Sequence, residues 1–253
     1  MSFQPLGAET RTVAVQSDIH YDGVVLSLIP FVVLSSPKEF RVLFLGNSHT
    51  AANNLTQLVK SLSDSDGSGR IVTVKVEFAP LLNDFANIPK VREEIRTGAW
   101  SAIVLQGAAM SSSHQYSYSQ ERGISVAKLA ISSGSPTYLF AEWPRRGWDE
   151  TGYILGIYSK IAKASGATII PVPRCWDVAL RHDSKLDLWS PDGNHSSPTG
   201  AYLAACGIYY GLFGTKGNPT YTPTYLTAAT AKTLRSWARE GIVGSTQTKA
   251  AHT

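Results

Sequence analysis

Ser48 follows a short apolar run in the stretch RVLFLGNSHTAANN. A serine hydroxyl is a poor nucleophile at neutral pH. It needs a base within hydrogen-bond reach, usually a histidine that a carboxylate orients. Far along the chain, PDGNHSSPTGAYLAA supplies such a pair, Asp192 and His195. An Asp and a His three residues apart in a turn can bring the carboxylate to one ring nitrogen. That contact fixes the tautomer and stabilises the imidazolium formed when the other nitrogen takes the serine proton. Gly193 suits the tight turn, and Pro198 suits the first turn of a following helix. Each block also has a plainer reading. Ser, Asn and Thr after a strand are common helix caps, and Ser48 taken alone reads as one. An isolated Asp-x-x-His occurs in many loops. Their order carries more: a Gly-x-Ser turn directly after the first clear strand, and Asp-x-x-His just before a closing helix.

The intervening segments must bring these two ends together. RVLFLG (41–46), IVTVKVEF (71–78), SAIVLQG (101–107), PTYLFAE (136–142) and ATIIPV (167–172) read as strands, rich in β-branched or aromatic residues and bounded by Gly, Pro and Ser. Helices are expected near 53–63, 85–97, 117–133 and 151–165, then near 199–213 and 224–239. Strand and helix in alternation predict an α/β fold with three α/β/α layers and a mostly parallel central sheet. In such folds ligands bind beyond the carboxyl ends of the strands. Ser48 and His49, Gln106 and the GAAMSSSH loop, and Glu142, Trp143, Arg145 and Arg146 all fall at or just past the carboxyl ends of strands.

VLFLGNSHT resembles the first block of the SGNH (GDSL-type) hydrolases, where Gly-Asp-Ser is usual. PDGNHSSPTGAYLAA resembles their last block. The likeness covers roughly residues 41–214 and leaves 1–36 outside. It implies a flavodoxin-like hydrolase fold, with Ser48 as nucleophile, His195 as base and then acid, and Asp192 as its orienting partner. The Ser48 N–H would be one oxyanion donor. The family's other two donors are a backbone N–H in the next block and an asparagine after the central strand. Here APLLNDF has no glycine, so Leu81 or Leu82 would supply the N–H; LQGAAM has no asparagine, so Gln106 or the Gly107 loop would substitute.

Other residues have competing readings. His49 is expected at the surface or behind the reacting groups, and His114 in a solvated loop. In EWPRRGW, Trp143 and Trp148 beside two arginines could stack on a sugar or bind a carboxylate, or simply pack. Trp143 is kept as a substrate-contact candidate, and Glu142 as an ion-pair partner for Arg145. The two cysteines, Cys175 and Cys206, allow one bridge or two free thiols, and Cys206 reads as buried in the closing helix. Asn54-Leu-Thr and Asn194-His-Ser match the glycosylation pattern, the second inside the proposed catalytic turn.

With 253 residues, 43% of them hydrophobic, the chain can bury one full α/β core. A net charge of +4 with dispersed Lys and Arg disfavours a nucleic-acid partner. Residues 23–36, GVVLSLIPFVVLSS, are too few to span a bilayer and predict no stable membrane insertion. They read either as a signal-peptide core, implying export, or as a buried strand, implying a cytoplasmic protein. The expected organisation is an N-terminal extension (1–36), a hydrolase-like domain (37–242) and a flexible tail (243–253). The expected function is a serine esterase for a small acyl ester, with an O-acetyl group on a carbohydrate as the suggested substrate. No metal or organic cofactor is needed. An acyltransferase on the same three residues and a non-catalytic carbohydrate-binding relative are the alternatives. A nucleotide-binding flavodoxin-like domain stands further off, because GNSHTAANN lacks the glycines of a phosphate loop.

Overall fold

The computed structural model describes residues 11–14, 17–21, 24–28, 31–34 and 39–250, with side chains from 39 to 244. The chain divides into two compact units, Met1–Lys38 and Glu39–Thr253. The first contains four short strands, Arg11–Ala14 (β1), Ser17–Tyr21 (β2), Val24–Leu28 (β3) and Phe31–Leu34 (β4). They pair antiparallel, β1 with β4 and β2 with β3. The rest of the extension expected over 1–36 lies outside the described residues.

The second unit is built on five strands: Glu39–Gly46 (β5), Ile71–Phe78 (β6), Ala102–Leu105 (β7), Thr137–Ala141 (β8) and Thr168–Pro171 (β9). All are parallel, in the order β6-β5-β7-β8-β9. The helices are Ser48–Ala51 (α1), Leu55–Asp64 (α2), Pro89–Thr97 (α3), Glu121–Ser132 (α4), Thr151–Ser165 (α5), Val172–His182 (α6), Pro198–Phe213 (α7) and Ala228–Ala250 (α8). The segment expected as a tail from 243 runs on in α8 to Ala250, and 251–253 lie outside the described residues.

Side-chain alternation along β5 divides the core. Val42 and Phe44 face a layer made by α2, α6, α7 and α8, which includes Leu58, Trp176, Tyr202 and Leu234. Leu43 and Leu45 face the opposite layer, α3, α4 and α5, which includes Ile95, Val126 and Tyr158. Both faces of β5 and β7 are buried, so these strands read as continuous apolar runs instead of alternating ones. The three-layer α/β/α architecture predicted from the strand–helix alternation is the one observed.

The strand order places a switch point at β5. The chain leaves β5 for β6 on one side and reaches β7 on the other. A crevice therefore opens past the carboxyl ends of β5 and β7, where open α/β sheets bind ligands. Ser48 follows β5 there, and Gln106 and Gly107 follow β7.

Candidate active site

The Ser48 turn is fixed from below. Asn47, not Ser48, caps the one-turn helix α1: its Oδ1 accepts the His49 N–H at 3.0 Å. The plainer alternative, in which Ser48 itself caps the helix, does not hold, because Asn47 has extended backbone angles and already fills that role. Ser48 becomes the first helical residue, exposed at the crevice. The Asn47 N–H donates to Gln106 Oε1 at 2.9 Å, and the Thr50 hydroxyl donates to the same oxygen at 2.9 Å. Asn47 Nδ2 donates to the Pro80 carbonyl at 3.1 Å, tying the turn to the loop after β6. Gly46 must lack a side chain: a Cβ there would lie 2.2 Å from Thr50 Oγ1 and 2.9 Å from Gln106 Oε1.

The Asp192–His195 turn arrives from the far end of the chain. Asp192 Oδ1 accepts the N–H groups of Asn194 and His195, each at 2.9 Å. Gly193 sits at φ +70, and its N–H donates to the Ser190 carbonyl at 2.9 Å. Asp192 Oδ2 lies 2.6 Å from His195 Nδ1, and His195 Nε2 lies 2.8 Å from Ser48 Oγ. A carboxylate on Nδ1 assigns the proton to that nitrogen, which leaves Nε2 as acceptor for the serine O–H. The hydrogen bonds from His195 and from the two backbone N–H groups hold the Asp192 carboxyl down at about 2. Past the turn, the Ser197 hydroxyl caps α7 by accepting the Gly200 N–H at 3.0 Å, with Pro198 in the first helical turn.

What holds this turn is the AEWPRR segment after β8. Trp143 Nε1 donates to the Asn194 carbonyl at 2.9 Å, and the Arg146 N–H donates to the Gly193 carbonyl at 2.8 Å. The Arg146 guanidinium reaches the Trp189 carbonyl at 2.9 Å and Asp187 Oδ1 at 3.1 Å. In return, Trp189 Nε1 donates to the Pro144 carbonyl at 2.8 Å. Trp143 is buried, 2% exposed, and stacks on Trp176 with ring centroids 4.8 Å apart. The reading of Trp143 as a substrate platform is therefore corrected: its face is covered and its N–H is spent on the backbone of the Asp192–His195 turn. From the other side, Asn53 Nδ2 donates to the Ser196 carbonyl at 2.8 Å.

The expected oxyanion groups are mostly engaged. The Leu81 N–H donates to Asp84 Oδ2 at 3.0 Å, and the Leu82 N–H to the Gly107 carbonyl at 2.7 Å. The Gly107 N–H donates to the Tyr158 hydroxyl at 3.1 Å. Gln106 is buried at 1% exposure beneath the Ser48 turn, so its carboxamide braces that turn from below instead of facing the crevice. The Ser48 N–H, at the start of α1, has no acceptor among the described residues.

Two further residues differ from their sequence reading, and His49 takes the second of its two expected places, behind the reacting groups. Glu142 does not pair with Arg145, which bonds Glu150 instead. Glu142 is buried, its carboxylate accepts the Tyr158 O–H, and burial pushes its carboxyl up to about 7. His114 is not simply solvated: its Nε2 lies 2.7 Å from Glu150 Oε1. The His49 ring packs between His195 (4.9 Å) and Trp143 (5.2 Å), and burial beside His195 lowers it to about 4. Its position next to Ser48 was the only sequence signal for this. Cys175 and Cys206 are free buried thiols, each raised by burial.

No family model matches the chain. A Streptomyces coelicolor protein, provisionally named as an ABC transporter ATP-binding protein, is 28% identical over 61% of this chain. The chain spans about half of that protein, 54% of its length, and contains no GxxxxGK[ST] phosphate loop. Three solved structures share the architecture at low identity. An SGNH hydrolase from Slackia heliotrinireducens, itself named only by resemblance, aligns at TM-score 0.53 and 23% identity, over 68% of this chain and 98% of its own. A DUF4886 family protein from Bacteroides uniformis aligns at TM-score 0.57 and 17% identity, over 81% and 95%. A two-domain esterase active on acetylated mannans aligns at TM-score 0.50 and 12% identity, over 75% and 54%. The parallel five-stranded sheet and these alignments agree: the chain has the fold of the SGNH hydrolases.

Proposed function

We propose that this chain is a serine ester hydrolase. One observation carries the reading: an unbroken line of hydrogen bonds runs from Ser48 Oγ through both His195 nitrogens to Asp192. In the reaction, His195 Nε2 takes the Ser48 proton as Oγ attacks the ester carbonyl carbon. The Asp192 carboxylate stabilises the imidazolium. The tetrahedral intermediate collapses, His195 returns the proton to the departing alcohol, and an acyl group remains on Ser48. Water, deprotonated by His195, then releases the acid. The Ser48 N–H is the donor best placed for the oxyanion.

A carbohydrate O-acetyl group is the substrate class we favour. Trp148 is 53% exposed, an aromatic surface on which a sugar can stack. The structural neighbour active on acetylated mannans supports the same choice. A second reading, a non-catalytic glycan-binding relative, draws on the committed N–H groups of Leu81, Leu82 and Gly107. Loss of one oxyanion donor typically costs about 100- to 1,000-fold in rate. The discriminating experiment is hydrolysis of short p-nitrophenyl esters by wild type, Ser48→Ala and His195→Ala. The hydrolase reading expects turnover by wild type alone; equal rates in all three proteins would refute it.

A further inference from the structure

Beneath the Ser48 turn lies a buried polar group that the proposed mechanism does not use. Glu142, at the end of β8, is 6% exposed, and no cation among the described residues pairs with it. A lone buried carboxylate is costly, so its surroundings must offset that cost with hydrogen bonds. The Tyr158 O–H from α5 donates to Glu142 Oε2. The same phenolic oxygen accepts the N–H of Gly107 at 3.1 Å and of Ala108 at 3.3 Å. Gln106 is the other neighbour. Its Nε2 has no partner of full hydrogen-bond geometry, yet it lies near enough to Glu142 to favour the carboxylate. Its Oε1 accepts from the Asn47 N–H and the Thr50 hydroxyl. The Tyr158 O–H donates to Glu142 and the Gln106 amide faces it, so both arms present donors to the carboxyl group.

We propose that Glu142 and Tyr158 are positioning residues for Ser48: through Gln106 and the Gly107–Ala108 backbone they hold the serine turn where its hydroxyl meets His195. This rests on the serine hydrolase reading. The two arms of the network reach both walls of the crevice, the turn after β5 and the loop after β7. Their side-chain ends meet at Glu142, in addition to the peptide bond that joins Gln106 to Gly107. A core built for stability alone would be served by an apolar pair at this position. Glu142→Gln keeps the shape and can still accept from Tyr158, but its NH2 then faces the Gln106 NH2. Tyr158→Phe keeps the ring and removes the acceptor for Gly107 and Ala108.

The test is kinetics of Glu142→Gln and Tyr158→Phe on a p-nitrophenyl ester beside wild type and Ser48→Ala, with thermal melts of each. Misplacement on this scale lowers kcat by about 10- to 100-fold. The expected pattern is that fall with KM within about twofold, while Glu142→Gln melts no lower than wild type at pH 8. A merely structural role would not separate activity from stability in this way. Wild-type kcat in both folded variants would overturn the proposal. If instead Ser48→Ala hydrolyses as fast as wild type, the hydrolase reading has failed, and the network is judged by amide hydrogen exchange alone. Faster exchange at Asn47, Gly107 and Ala108 in both variants supports it; unchanged exchange overturns it.

Discussion

Asp192 touches His195 on the nitrogen that Ser48 does not, so its contribution is orientation and charge. Asp192→Asn preserves the shape but offers an amide that can stabilise the wrong tautomer. It is expected to lower kcat by roughly 10³- to 10⁴-fold with an unchanged circular dichroism spectrum. Two groups near Ser48 and His195 give pH signatures of opposite sign. Glu142 is raised by burial from 4.5 to about 7, so the folded chain keeps a proton that the unfolded chain has lost. Its stabilising contribution is complete below about 4.5 and lost as pH rises through about 7, some 3 kcal/mol by the linkage relation. His49 is lowered from 6.5 to about 4, so its contribution is complete above 6.5 and lost as pH falls toward 4. Urea midpoints at pH 5 and pH 8 check both. Glu142→Gln should gain stability over wild type at pH 8 more than at pH 5, and His49→Gln should gain at pH 5 more than at pH 8. The meeting of Ser48, His195 and Asp192 was legible in the sequence because reactive types stood at interpretable places. The role of Trp143 was not, because which way a ring points depends on neighbours remote in sequence: Asn194 and Trp176.

The placement of Ser48, His195 and Asp192 depends on segments remote from them in sequence. The AEWPRR segment and the turn holding His195 exchange hydrogen bonds in both directions, from Trp143, Arg146 and Trp189. Trp143→Phe retains the stack on Trp176 but frees the Asn194 carbonyl. It should cost about 1 kcal/mol of stability and lower kcat several-fold, read by chemical denaturation and steady-state kinetics. Gly46→Ala drives a methyl group into Thr50 and Gln106, two members of the turn's support. It is expected to cost 1–3 kcal/mol, at about the usual price of overpacking, with activity lost before the fold melts in a temperature series. The strands were readable from their apolar runs, and their observed ends lie within two residues of the predicted ones. The cap at Asn47 was less readable, because Asn, Ser and Thr all favour that position and only backbone angles choose among them.

At the scale of the whole molecule, the strand order β6-β5-β7-β8-β9 explains why chemistry gathers where it does. The switch at β5 opens the crevice, and the closing helix α7 returns the chain from Asp192 and His195 across the sheet. The unit from Glu39 onward is compact by itself. A chain beginning at Glu39 is therefore expected to fold cooperatively and to keep the ester hydrolysis rate of the full chain within about twofold. Differential scanning calorimetry and kinetics check this, and an unfolded product would show that the first unit is needed. The layered architecture was legible from strand and helix alternation alone. The oxyanion donors were not, because a backbone N–H leaves no mark in sequence and its availability depends on which acceptor, Asp84, Gly107 or Tyr158, reaches it first.

The most direct test of the central claim is covalent capture of Ser48. Incubation with a fluorophosphonate ester followed by intact-mass and peptide mapping should show one phosphonyl adduct, on Ser48. Labelling should vanish in Ser48→Ala and slow by at least about 100-fold in His195→Ala. No adduct on wild type, or an adduct on a different residue, would contradict an activated serine at this site.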